Sequence, residues 1–132
     1  MGPIFRWAGS KRKLIPVLSR YVPKKINTYY EPFCGSACLY FELMPKKAVL
    51  SDMNSELIFT YQQIQRQPEK VHEWLSTFEV SQEHYIKIRS LAPEELQDAH
   101  RAARFLYLNK LCFNGVYRTN RKGVFNVPMG KK

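Results

Sequence analysis

The chain holds 132 residues, enough for one domain with a sizeable core, and sets 21 lysines and arginines against 11 aspartates and glutamates. The net charge of +10 is concentrated in Arg6–Lys13, Arg101–Lys110 and Arg118–Lys132, which favours a polyanionic partner over the plain alternative of a solvated basic surface. Cys34, Cys38 and Cys112 fit neither a secreted disulfide scaffold nor, with His72, His84 and His100 scattered, a zinc pattern, and no apolar stretch suits a membrane span or a signal peptide. The expected setting is cytoplasmic, nucleoid-associated, in a prokaryote or phage.

Ser10 is placed to cap a helix carrying Leu14, Val17, Leu18 and Tyr21, with Pro16 delaying or bending its start and Pro23-Lys24-Lys25 ending it. Strand Thr28–Phe33 follows, then a helix from Cys38, a turn at Pro45-Lys46-Lys47 and strand Ala48–Ser51. Ser55 is read as the cap of a helix with Leu57, Ile58, Tyr61 and Ile64 on one side. Pro68 restarts a helix bearing Val71, Trp74, Leu75 and Phe78, and Ser81 starts another with Tyr85, Ile88 and Leu91. Pro93 opens a long helix through Leu111 that Asn114-Gly115 stops.

Past Gly115 the apolar period becomes two. Val116-Tyr117-Arg118 and Val124-Phe125-Asn126-Val127 flank the basic tip Asn120-Arg121-Lys122-Gly123, which predicts a β-hairpin over 116–127. The chain thus divides into a βα-type part, 1–54, and a helical part, 55–132. No Gly/Ser linker separates them, which argues for one compact unit with the second part inserted in the first domain.

The stretch Tyr29-Tyr30-Glu31-Pro32-Phe33-Cys34-Gly35-Ser36-Ala37 carries the chemistry. A strand runs into a small-residue turn and a helix N-terminus, so a ligand can approach the backbone and meet free N–H groups. Seventeen residues after Gly35 the next strand ends on Asp52, placed to accept hydrogen bonds from ribose hydroxyls. Together they predict a nucleoside-type cofactor. The dinucleotide fingerprint would need a glycine where Tyr40 stands, and no GxxxxGK[ST] is present. The plain alternative for this turn is a structural strand-to-helix connection.

Four further segments stand in a fixed order. They are Phe5-Arg6-Trp7-Ala8-Gly9-Ser10-Lys11, Asp52-Met53-Asn54, Asn109 to Arg118, and Phe125-Asn126-Val127-Pro128. With the Glu31–Gly35 turn, these segments resemble the Dam-like (D12 class) DNA adenine-N6 methyltransferases. The resemblance covers essentially the whole chain but only the N-terminal half of the family pattern. The family's Asp-Pro-Pro-Tyr motif, which lines the target-adenine pocket, does not occur in this sequence.

The resemblance implies an α/β fold: a partial SAM-dependent methyltransferase (Rossmann-like) sheet, with a helical target-recognition region ending in the hairpin. It implies S-adenosyl-L-methionine (SAM) as cofactor, bound by Trp7, Lys11, Glu31, Pro32, Phe33, Gly35 and Asp52. The Trp7 ring would face the adenine or the sulfonium, Lys11 the methionine carboxylate, Glu31 the methionine amino group and Asp52 the ribose diol. Packing under a helix, solvation and helix capping are the structural alternatives for these side chains. Ala37 stands where the family more often has glycine; its methyl is expected at the approach surface, weakening cofactor affinity.

For DNA, the resemblance implies contacts from Arg6, Asn114, Asn120, Arg121, Lys122 and Lys131, with Arg118 reading a guanine of a GATC-like duplex site. A polar hairpin tip is the alternative. Lys132 takes the place of an aromatic wedge that helps open the duplex. The implied function is SAM-dependent methyl transfer to adenine N6 in duplex DNA, as in restriction–modification. The family flips the target base and accepts its amino protons on the Asp-Pro-Pro-Tyr motif. The expectation is therefore an N-terminal part, inactive alone (a fragment, a split-gene half or a degenerate copy), that a C-terminal polypeptide could complement. A non-catalytic DNA-binding module descended from such an enzyme is the rival reading, and an RNA methyltransferase a third.

Overall fold

The computed structural model describes residues 1–131. It is a mixed α/β structure in two compact units, Met1–Asn54 and Ser55–Lys132. Among the described residues, no helix is long and apolar enough to cross a membrane.

In the first unit, β1 (Tyr29–Glu31) pairs in parallel with β2 (Ala48–Leu50), in the register Tyr29–Ala48, Tyr30–Val49, Glu31–Leu50. The pairing continues past both strands, Tyr29 N–H donating to Lys47 O at 2.9 Å and Cys34 N–H to Ser51 O at 2.9 Å. Helix α2 (Cys38–Leu43) is the crossover and buries Cys38 and Phe41. Its ring Tyr40 lies 6.5 Å from Tyr29. Tyr30 and Val49, 68% and 50% exposed, share the other pleat face, which nothing in the described residues covers.

The expected first helix is broken into short pieces. A 3₁₀ turn at Arg12–Leu14 leads into α1 (Ile15–Leu18), with Pro16 in its first turn, and a second 3₁₀ turn at Ser19–Tyr21. Ser10 does not cap it; Lys11 precedes the first turn and no side chain caps there. Leu14, Val17 and Tyr21 are exposed. Pro16, which lacks an N–H and cannot sit in a helix interior without breaking it, limits the helix to these short pieces.

The second unit is built on α6 (Asp98–Leu111), with Asp98 in its first turn and Lys110 in its last, as the helix dipole favours. Helices α3 (Ser55–Arg66) and α4 (Pro68–Ser76) pack along it. Ala99, Ala102 and Ala103 are small enough to admit Val71 closely. Ser55 is the first residue of α3, so the cap lies one position earlier than read. The buried face of α3 is Leu57 with Thr60 and Gln63, and hydrophobic periodicity does not reveal the two polar members. Ser81 caps α5 (Gln82–Ser90), its Oγ accepting from His84 N–H at 3.1 Å.

The long helix expected from Pro93 is two elements. A 3₁₀ turn, Pro93–Glu95, is followed by extended Leu96 and Gln97 before α6 begins. Asn114 adopts a left-handed conformation, φ 53°, inside a closing turn Phe113–Gly115. The expected hairpin is rudimentary: residues 116–127 turn back antiparallel through one bridge, Thr119–Phe125, without regular strands.

Candidate functional site

The first unit holds a cavity of about 350 Å³ whose walls include Trp7, Lys11, Glu31, Phe33, Gly35 and Asp52. Six of the seven residues expected to bind cofactor meet there. Pro32 stands apart: it does not line the cavity, and its carbonyl accepts from Ser51 Oγ at 3.0 Å, tying the end of β1 to the end of β2.

Asp52 organises the turn. Its Oδ2 accepts from Gly35 N–H at 3.0 Å and its Oδ1 from Asn54 N–H at 2.9 Å, so one carboxylate locks the β1–α2 turn to the tip of β2. Each oxygen keeps a second lone pair for a hydroxyl donor. Glu31 accepts from Tyr29 Oη at 2.8 Å and from the backbone N–H of Tyr40. Burial nonetheless holds its carboxyl above the ordinary value, the two hydrogen bonds offsetting only part of the desolvation. Burial, with the nearby Asp52 and Glu31 charges, also pushes the Cys34 thiol up to about 11, so Cys34 is a neutral wall and not a nucleophile. Lys11 Nζ donates to Gly9 O at 2.7 Å from an exposed position, which anchors its stem at the cavity mouth.

Residues the sequence reading passed over line the cavity too. Ser10, placed there as a helix cap, instead turns its hydroxyl inward to accept from Ser36 Oγ at 3.1 Å and to meet Cys38 Sγ at 3.0 Å. This hydroxyl–thiol cluster joins the N-terminal segment to the turn. The only sequence signal was that all three residues belong to, or directly follow, the motif stretches.

Ala37 departs from expectation. It is fully buried and absent from the cavity wall, so its methyl does not obstruct a ligand. Its cost lies in the backbone, where φ 50° and ψ 38° put a residue with a Cβ in the left-handed region.

In the second unit the turn at 120–123 presents Arg118, Asn120, Arg121 and Lys122, all exposed. Asn120 builds the turn itself: its Oδ1 accepts from Lys122 N–H at 2.9 Å and Val124 N–H at 3.1 Å, while Gly123 takes φ +80°. That leaves only its amide N–H₂ for another partner. Arg118 Nε donates to Asn126 Oδ1 at 3.0 Å, which holds the guanidinium of this exposed side chain. The base of this loop is clamped, since Tyr85 Oη and Arg89 Nη1 both donate to Val127 O, at 2.9 and 3.2 Å. Phe125 is buried, 5.6 Å from the Tyr117 ring. Asn114 and Lys131 are also exposed in this unit, and Arg6 is exposed in the first. The expected wedge position, Lys132, lies outside the described residues.

Comparison with known proteins bears on the kinship of the chain. Residues 7–132 match the model of the D12 class N6 adenine-specific DNA methyltransferases. The chain is 42% identical over 135 residues to the type II methyltransferase M1.LlaDCHI of Lactococcus lactis subsp. cremoris, covering 98% of this chain and 48% of that protein. It is 34% identical to the type II methyltransferase M.CviBI of Paramecium bursaria Chlorella virus NC1A, covering 99% and 51%. With the DNA adenine methylase of Escherichia coli strain K12 the identity is 31%, covering 96% and 46%. The chain spans about half the length of the curated relatives it matches. A match across nearly all of its length settles its kinship: the chain belongs to the D12 class N6 adenine-specific DNA methyltransferase family.

Proposed function

We propose that this chain is the cofactor-binding and DNA-reading part of a site-specific DNA adenine-N6 methyltransferase, with SAM as methyl donor and a GATC-like duplex as substrate. The observation that carries the reading is the convergence of Trp7, Lys11, Glu31, Gly35 and Asp52 on one cavity, whose size falls in the range of small-molecule sites. The donor set fits SAM. Asp52 has acceptor capacity for a ribose diol, Glu31 is an acceptor for an ammonium, Lys11 a cation at the mouth and Trp7 a π face for a sulfonium. When bound, SAM supplies an electrophilic methyl group.

The chain's own residues bind and orient. Asp52 holds the turn and the ribose with the same carboxylate, so cofactor recognition and local folding are coupled. Glu31, partly desolvated, gains most when an ammonium approaches, because a buried carboxyl is stabilised in its charged form by a cation. Arg118, oriented through Asn126, offers a guanidinium fork suited to guanine O6 and N7. Proton acceptance from the adenine amino group is assigned to no residue here, since Asp-Pro-Pro-Tyr does not occur in this sequence. A complementing polypeptide carrying that motif is the natural partner on this reading.

Calorimetric titration of SAM against NAD, with Asp52→Ala as control, tests the cofactor assignment. SAM binding that Asp52→Ala abolishes is expected; equal or tighter NAD binding overturns it. Incubation of the purified chain with labelled SAM and a GATC duplex tests the rest. No methyl transfer is expected until a polypeptide bearing the missing motif is added.

A further inference from the structure

The helical unit contains a second cavity, of about 430 Å³, bordered by Lys122 and Gly123 of the basic turn. Arg104 lines it while only 5% exposed. Its Nε donates to Ile88 O at 3.1 Å and its Nη2 to Arg89 O at 2.8 Å, and these two bonds fix the plane of the guanidinium. Among the described residues its Nη1 has no hydrogen-bond partner, yet it is not one of the fully buried unsatisfied atoms, so it retains accessible surface. The space available to it is the cavity.

Among the described residues no carboxylate forms an ion pair with Arg104. Glu56 is held by Arg101, which also lies over the Phe59 ring at 4.5 Å. Burying a guanidinium without a direct ion pair is costly, and burial holds the Arg104 pKa below its ordinary value even though the Glu56 and Glu94 charges favour the cation. A fold that keeps such a group pointing at an open cavity has room for the missing anion. The rest of the wall is largely apolar, with Leu91, Phe105, Leu108, Val124 and Phe125. Glu56 and Glu94 also border the space, so a singly charged ligand meets less repulsion there than a dianionic phosphate.

We propose that this cavity binds a small monocarboxylate with an aromatic or branched apolar body, its carboxylate accepting from Arg104 and its body packed against Phe105 and Phe125. No residue of the SAM cavity takes part, so the proposal stands or falls independently of the methyl-transfer reading.

Titration of the whole chain with benzoate and with the neutral isostere benzamide, by calorimetry and by thermal shift, tests it. Benzoate is expected to bind and raise the melting temperature, and benzamide to bind at least about tenfold more weakly, as loss of a charge-assisted pair implies. Arg104→Lys keeps the charge but not the fork and is expected to weaken benzoate several-fold; Arg104→Met is expected to abolish binding. Should Arg104→Met fail to fold, Val124→Trp, which fills the space from a half-exposed wall position, must block benzoate instead. Equal affinity for benzamide, undiminished binding in the folded variants, or no benzoate binding at all would each overturn the proposal and leave the cavity to water.

Discussion

The indole of Trp7 lies on the bare backbone of Gly35. A Cβ added at Gly35 would come within 2.7 Å of Trp7 Cδ1, and Gly35 itself has φ +48°. The glycine is therefore required twice, for its backbone and for the ring that rests on it.

Gly35→Ala should cost about 1–2 kcal/mol in backbone strain and a further ~1–3 kcal/mol from overpacking against the indole. In a Trp7→Ala background only the strain remains. A double-mutant cycle by urea denaturation should return the packing contribution as the coupling energy. No coupling would mean that Trp7 simply swings aside.

Ala37→Gly separates two opposing effects. Leaving the left-handed region without a Cβ releases about 1–2 kcal/mol, while loss of a buried methyl costs ~0.8 kcal/mol. The variant is expected to be as stable as the parent or up to about 1 kcal/mol more stable. SAM affinity should be unchanged, because Ala37 is not in the cavity wall. Tighter SAM binding by Ala37→Gly would restore the view that this methyl obstructs the ligand.

Glu31 should impose a pH dependence on stability. Its folded-state pKa lies above the unfolded value, because burial outweighs its two hydrogen bonds. Between those two pKa values the native state binds more protons than the unfolded one, so stability falls as pH rises through that window and the loss is complete above it. Glu31→Gln should flatten this slope, as read from urea midpoints between mildly acidic and neutral pH. Cofactor binding near the window should release protons in the parent and not in the variant, which calorimetry in buffers of different ionisation enthalpy would register.

Arg118→Ala should cost about 1–3 kcal/mol on the specific site and relax discrimination there. Asn126→Ala should reproduce part of that loss by freeing the guanidinium it holds. Lys122→Ala should weaken all duplexes alike and lower the salt slope by about one unit. Identical behaviour of Arg118→Ala and Lys122→Ala in a competition assay would reduce the turn to a phosphate contact.

The two-stranded sheet should make the chain prone to associate. Tyr30 and Val49 are cross-strand partners on an uncovered face, and each strand has one open edge. Size-exclusion chromatography is expected to show self-association that Tyr30→Lys reduces. A monomer with a cooperative, reversible thermal transition would contradict this.

Local chemistry made several features legible in the sequence. The β1–turn–α2 unit, the acid at the tip of β2, the cap at Ser81, the helix start at Pro68 and the basic turn each depend on residues adjacent in the chain. Composition limited the partner class because net charge requires no folding. Tertiary structure decided the rest. That Ser10 joins Ser36 and Cys38 rather than capping a helix depends on contacts 26 and 28 residues away. Pro93 opens only a short turn because Leu96 and Gln97 are extended, a backbone choice that their side chains do not signal. Arg104 looked like one more surface charge, but α6 is buried nearly all round and carries it inside. Periodicity reports which side of a helix is apolar; only packing determines how many sides are covered.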